Sequence, residues 1–249
     1  MTKITYGSII AAIRSIRNAT RRKRDQPAMS QQPETATPAQ SGHTSHRFFA
    51  NFYERMSRSR AEQSFIDPLR KEVTGQARGL VLEIGAGNGL NFAFYDPDTI
   101  ERVEAIEPDS AMLRYARERV AAARVPINLT QAPVESLPFV DESFDSAVVT
   151  LVFCSVSDPL RGLSEVRRVL KPGGELLMVE HVRAHGAIAA TMQNIMTPVT
   201  RKVAGNCHWN RNTEKTVIEA GFRVDQRRDT GGFLMPIIVL RVVKLTCCI

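Results

Sequence analysis

The sequence predicts a doubly wound α/β domain built on a mostly parallel sheet. Apolar, strand-like runs alternate with helical patterns between residues 80 and 180, and the first of these runs breaks into a glycine-rich turn. Such alternation implies parallel strands joined by right-handed crossovers, because each helix returns the chain to the same end of the sheet. Ligands of these sheets bind beyond the carboxyl ends of the strands, where the strand order reverses.

An amphipathic helix is expected from about His46, where Phe48, Phe49, Phe52, Tyr53 and Met56 recur at helical spacing. Leu80-Val-Leu-Glu-Ile84 then reads as a buried strand, which Gly85, Gly87 and Gly89 turn tightly towards a helix. Backbone without a Cβ can approach a bulky ligand closely. The spacing is Gly-x-Gly-x-Gly and position 90 is Leu, where a dinucleotide fingerprint needs Gly. The turn therefore points away from NAD and towards another nucleoside cofactor, which leaves an NAD-dependent reductase as the most distant alternative. Glu83 sits inside the apolar strand, and a buried carboxylate needs a partner. An ammonium or sulfonium group on a ligand is a natural one.

Arg102-Val-Glu-Ala-Ile-Glu107 reads as the second strand, ending in an acid 18 residues past Gly89. At that place a carboxylate can accept both hydroxyls of a ribose. The plain alternative is a solvated acid before a helix, since Pro108-Asp109-Ser110 is a good helix start. A further apolar strand spans Ser146 to Val152. Asp158-Pro159 caps and opens a helix reaching Leu170, and Lys171-Pro-Gly-Gly174 ends it before a strand over Glu175 to Glu180. Asn212-Thr213 starts a helix that stops at Gly221, and strands Phe222 to Arg228 and Phe233 to Lys244 close the sheet. Pro236 is awkward in a central ladder and predicts a bulge or a late strand start.

The 249 residues accommodate one domain of about 200 residues plus an appendage. The net charge of +7 is concentrated at the amino terminus: Lys3, Arg14, Arg17, Arg21, Arg22, Lys23 and Arg24 face Asp25 alone, giving +6 over residues 1–28. The rest carries only +1 and lacks basic runs interleaved with aromatics, which argues against a nucleic-acid partner. Residues 1–24 form a basic, moderately amphipathic segment. Its apolar run is too short to cross a bilayer, but it suits peripheral contact with an anionic membrane or a targeting role. Residues 25–46, with Pro27, Pro33 and Pro38 among polar residues, read as a disordered linker. Translation from Met29 is the competing account, in which the basic segment is not made. Residues 47–249 are expected to form the α/β domain.

The cysteines at 154, 207, 247 and 248 form no Cys-x-x-Cys pair, so a reducing, cytoplasmic setting is expected, with the membrane as the other place of residence. Cys154 reads as a small core residue. Cys207 neighbours His208, but zinc needs two further ligands that the sequence does not identify, so no metal site is expected.

Taken in order, the glycine turn, Glu107, Val134-Glu-Ser-Leu-Pro-Phe139, Asp141-Glu-Ser-Phe-Asp145, Lys171-Pro-Gly-Gly174 and Glu175-Leu-Leu-Met-Val-Glu180 resemble the class I S-adenosylmethionine-dependent methyltransferases, type 11 group. The resemblance covers roughly residues 48 to 245. It implies a seven-stranded sheet whose last strand is antiparallel, with S-adenosyl-L-methionine as cofactor. Thr150-Leu-Val-Phe-Cys-Ser-Val156, Val179-Glu-His-Val182 and Gly205-Asn-Cys-His-Trp-Asn210 are similar to the microsomal thiol S-methyltransferases. Quinone C-methyltransferases and phospholipid N-methyltransferases are similar as well.

The cofactor residues implied are Glu83, Gly85, Ala86, Gly87, Gly89, Glu107, Met112, Ala132, Pro133, Val134, Thr150 and Leu151. Many relatives carry an Asp for the adenine amino group where this chain has Ala132 and Pro133, which leaves adenine to backbone near Val134 and apolar contacts such as Met112. Tyr53, Phe153, Trp209 and the apolar stretch Ile188 to Val203 are expected to line a pocket for a small lipophilic acceptor: a thiol, a quinol or a lipid headgroup. A thiol can ionise unaided, whereas a hydroxyl or quinol carbon needs a base, for which His181 and His208 are candidates. The alternative from another class is a catalytically silent nucleoside-binding module on the same fold, which release of S-adenosylhomocysteine distinguishes.

Overall fold

The computed structural model describes residues 47–245. The segments 1–24 and 25–46 assigned above lie outside that range, as do Cys247 and Cys248. Helix α1 (Arg47–Ser57) and helix α2 (Arg60–Thr74) lead into strand β1 (Gly79–Ile84). Ser59 caps α2, its hydroxyl accepting the Glu62 N–H at 3.2 Å. A 3₁₀ turn over Leu90–Phe94 follows the glycine bend, then β2 (Ile100–Ile106), α3 (Ser110–Val120), β3 (Ile127–Thr130) and β4 (Phe144–Thr150). The remainder is α4 (Pro159–Val169), β5 (Leu170–His181), α5 (Ala187–Val203), α6 (Thr213–Glu219), β6 (Phe222–Gly231) and β7 (Pro236–Lys244).

The seven strands lie in the order β3-β2-β1-β4-β5-β7-β6, parallel except for β7, which runs antiparallel to both neighbours. The chain winds outward from β1 to β3 and then crosses back to β4, so the order reverses between β1 and β4. The crevice at that reversal lies beside the glycine bend. Pro236 opens β7 instead of interrupting it, which is the late start expected of a residue that lacks an N–H. Residues 171–174 bulge from the β4–β5 ladder between the pairs Phe144–Leu170 and Ser146–Glu175.

Side-chain alternation divides the interior into two layers. Leu82 and Ile84 of β1 join Ala147, Val149, Leu176 and Met178 under Leu163, Val166 and Val169 of α4. Val81, Val148, Leu177 and Val179 point the other way, against Ile66, Leu69 and Val73 of α2 together with Phe92 and Tyr95. This period of two also sets the polar residues. Glu83 falls on the α2 side and Glu180 on the α4 side.

Candidate functional site

The glycine bend has left-handed backbone at its key points. A Cβ on Gly85 (φ +62°) would stand 2.6 Å from Val152 Cγ2, and one on Gly89 (φ +83°) 2.7 Å from Phe92 Cε2. These two glycines let the bend press against the β4 end and the 3₁₀ turn. Gly87 differs: a Cβ there would meet nothing nearer than the Gly85 carbonyl oxygen at 3.9 Å, so its backbone fronts open space. Ala86 ties the bend to β2 through its N–H to the Ile106 carbonyl at 2.9 Å.

Glu107 faces this bend. Its Oε2 accepts the Gly87 N–H and its Oε1 the Asp109 N–H, both at 2.9 Å. Each oxygen keeps a second lone pair for an outside donor such as a ribose hydroxyl. Burial pushes the carboxyl up to about 7, against the lowering effect of the Asp109 and Gly87 N–H donors. Ribose hydroxyls donate best to the ionised form, so cofactor affinity is expected to rise with pH. It should be about tenfold below its plateau at pH 6 and close to it at pH 8. Calorimetric titration across that range checks the slope.

Glu83 is also buried and raised to about 7, chiefly by desolvation. Burial raises Glu180 to about 7 as well, so for all three acids the folded value exceeds the unfolded one near 4.5 and the native state holds more protons between these limits. Stability of the cofactor-free protein should therefore fall as pH rises from about 5 through 7, by a few kcal/mol in total. Urea unfolding at several pH values measures it, and the slope should be shallower in Glu107→Gln.

The structure changes the sequence account of Glu83. Its Oε2 accepts the hydroxyl of fully buried Tyr95 at 2.9 Å, so a protein group partners the carboxylate. Arg70, on the same side, donates to Asn91 Oδ1 at 3.1 Å, and Asn91 donates to Thr150 Oγ1 at 3.2 Å. This relay links α2 to the β4 end. Leu151 follows with φ +58°, its N–H on the Val179 carbonyl at 2.7 Å.

Helix α1 is tied to the glycine bend by a carboxylate that sequence reasoning overlooked. Glu54 Oε2 accepts from Asn88 Nδ2 at 2.6 Å, and Oε1 accepts from Arg119 and Arg58 at 2.8 Å each. Ala50 of α1 packs with Ala111 and Met112, with Phe49 and Tyr53 alongside. Tyr53 is therefore placed beside Met112, and its hydroxyl accepts from Arg70 at 3.5 Å. Glu54→Ala should free α1 and raise its limited-proteolysis rate about tenfold, the worth of one or two charge-assisted hydrogen bonds.

Ala132 and Val134 are buried in the α4-side layer, with half-buried Pro133 between them. Phe153 requires a correction. It has no exposed surface and packs in that same layer, where a Cβ on Gly162 would stand 3.2 Å from its ring. The chain turns inward after Leu151, so Phe153 is a core residue and does not line an acceptor pocket. Trp209 is half-buried in the loop between α5 and α6. His208 holds that loop to the β4 end: its N–H donates to the Cys154 carbonyl at 2.8 Å and its Nδ1 lies 3.2 Å from the same oxygen.

Glu180 organises the β4 end from below. Its carboxylate is wholly buried and accepts three successive backbone N–H groups, those of Val152 and Phe153 on Oε1 at 2.8 and 2.7 Å and that of Cys154 on Oε2 at 3.3 Å. An acid within an apolar strand was the available signal, the same one that marked Glu83. Arg211 fastens the loop from the other side, donating to the Phe153 and Val156 carbonyls.

His181 and His208 are not paired across a pocket. Cys207 meets Cys154 and His181 instead of pairing with its neighbour His208, with one ligand atom from each lying within 4.8 Å of the others, a grouping where the sequence led to no metal site.

A glycine bend fronting open space, a strand-end carboxylate over it and a sheet reversing beside it form the ligand crevice of a nucleoside-binding α/β fold. Residues 82–178 match the methyltransferase domain family. The chain belongs to the S-adenosylmethionine-dependent methyltransferases, and its cofactor is S-adenosyl-L-methionine. Thiol S-methyltransferase TMT1B of Homo sapiens is 34% identical to it over 165 residues, which are 61% of this chain and 67% of the human one. Phosphatidylethanolamine N-methyltransferase of Cereibacter sphaeroides is 37% identical over 115 residues, 45% of this chain and 56% of that protein. The chain thus spans about two thirds of the first relative and little over half of the second. Among solved structures, a SAM-dependent methyltransferase from Methanosarcina mazei superposes with a TM-score of 0.53 at 25% identity, covering 68% of this chain and 94% of the other.

Proposed function

We propose that this enzyme methylates a small lipophilic acceptor and that the acceptor is a thiol before it is a quinol or a lipid headgroup. The observation that carries this reading is the 34% identity to a thiol S-methyltransferase over 165 residues. The cofactor supplies an activated methyl group when bound. The protein's own part is alignment and exclusion of water. In this reading Glu107 and the Gly87 backbone hold the ribose side, and Met112 and Val134 offer apolar contact. Glu180 and Asn91 fix the β4 end, and α1 covers the bend through Glu54.

The polar groups at the β4 end are mostly committed to backbone: Glu180 to three N–H groups, Arg211 to two carbonyls and His208 to one. Of the two candidate bases only His181 keeps a buried ring nitrogen without a partner, and this scarcity favours an acceptor that ionises unaided. A free thiol, titrating near 8.5, does so. Ile188, Ile195, Val199 and Val203 form an exposed stripe along α5, and Phe48 and Phe52 are exposed on α1. This surface suits a lipophilic substrate and argues against nucleic acid. Among the described residues no helix is long and apolar enough to cross a membrane. On its charge alone, the segment 1–24 is assigned peripheral contact with anionic lipid.

Release of S-adenosylhomocysteine over a panel of apolar thiols, quinols and phospholipids tests the reading. Turnover with thiols should exceed that with the other classes at least tenfold. Turnover confined to phospholipid or quinol would reject the thiol assignment.

A further inference from the structure

Three soft-ligand side chains meet at the carboxyl ends of β4 and β5. Cys154 follows β4, His181 ends β5, and Cys207 comes from the loop after α5. One ligand atom from each, a sulfur or a ring nitrogen, lies within 4.8 Å of the other two. Both cysteines are free and buried. His181 Nδ1 is buried and has no hydrogen-bond partner, an uncommon state for an imidazole nitrogen in an interior. The backbone around the group is held firmly: Glu180 takes the Cys154 N–H, His208 N–H meets the Cys154 carbonyl at 2.8 Å, and Thr200 Oγ1 donates to the Cys207 carbonyl at 2.9 Å.

We propose that Cys154, His181 and Cys207 form a binding site for a soft divalent ion of the zinc class, with a fourth position open to a sulfur ligand. Metal–sulfur bonds of about 2.3 Å at tetrahedral angles place sulfurs roughly 3.8 Å apart, so the present spacing closes with small side-chain rotations. Thiolate and imidazole together select zinc over magnesium or calcium. Two thiolates and one neutral imidazole also cancel the charge of the ion, as a buried site requires. Among the described residues no fourth Cys, His, Asp or Glu joins the group. Three protein ligands are the pattern of zinc sites with an exchangeable position, whereas structural sites take four. The three residues lie at the end of the sheet where ligands bind, and the occupant of the fourth position follows from the methyl-transfer reading, on which this second half rests. A thiol acceptor displaces water, its sulfur bonds to the ion, and its proton passes to solvent, so that it is held as a thiolate at ambient pH.

The test uses the full chain, reduced and freed of metal with a chelator, then titrated with Zn²⁺ and with Co²⁺. One ion per chain is expected, with near-ultraviolet thiolate-to-cobalt absorption. Cys207→Ser should lose more than about 10²-fold in Zn²⁺ affinity, since even outer partners of metal ligands cost 10–100-fold. His181→Asn should lose as much. Calorimetric titration with S-adenosylmethionine confirms that each variant is folded. An apolar thiol should alter the cobalt spectrum, and the corresponding alcohol should not. Substoichiometric metal in protein that binds the nucleoside would overturn the site while leaving the methyltransferase reading intact, as would a Cys154–Cys207 disulfide in the isolated protein. Metal bound at one per chain with a spectrum indifferent to thiols would overturn the open-position half alone.

Discussion

Glu107→Ala is expected to weaken S-adenosylmethionine binding by about 10³-fold, and Glu107→Gln by about 10²-fold. The carboxylate joins two elements, with one oxygen on Gly87 N–H in the bend and the other on Asp109 N–H at the start of α3. Its remaining lone pairs are the acceptors available to a ribose. Hydrogen bonds to a charged group contribute about 1.5–3 kcal/mol each, and two of them amount to 10²–10⁴ in affinity. Gln keeps one acceptor oxygen but turns an NH₂ group against a backbone donor, which is why its loss should be large despite its shape. Glu107→Asp retracts the carboxylate by one methylene and should fall between wild type and Gln. Calorimetry on the full chain at pH 8, where the wild-type carboxylate is ionised, reads these differences. An Ala variant that is folded and binds within twofold of wild type would refute the assignment of Glu107 to the cofactor.

Glu180→Leu should destabilise the fold by about 4 kcal/mol, lowering the melting temperature by roughly 10 °C. Glu180 is 0% exposed and is the acceptor for three consecutive N–H groups at the β4 end. Removing it strands these donors where water cannot replace it, and each orphaned group costs about 1–3 kcal/mol. The loop 152–154 has no other way to satisfy them without leaving the β5 end. Glu180→Gln should cost about half as much, since one oxygen still serves Val152 and Phe153. Thermal unfolding followed by circular dichroism separates the two, and a Leu variant within about 1 kcal/mol of wild type would mean that the loop does not depend on this carboxylate.

Both acids sit near apolar strand ends, but only Glu107 is legible in the sequence as a ligand-binding group. Glu107 stood out because the glycine turn fixes where the second strand must end. Glu180 reads in the sequence only as the last residue of an apolar strand. Its role depends on the chain curling inward after Leu151, and that curl also takes Phe153 into the core and away from any acceptor. Glu83 shows the converse. Its burial was legible from the apolar run around it, but its partner, Tyr95, comes from beyond the glycine bend, on the face that strand alternation assigns to α2.

The sequence by itself determined the sheet, its reversal point, the glycine bend and the acid facing it, because these follow from hydrophobic period, backbone permissiveness and chain direction, all of which are local. Only the tertiary structure decided the partners: Tyr95 for Glu83, the three N–H groups for Glu180, Asn88 and Arg119 for Glu54, and the meeting of Cys154, His181 and Cys207. Those groups are separated by up to dozens of residues along the chain, and no spacing rule reaches that far. They come together because β4 and β5 end side by side in the sheet and the loop after α5 returns over them.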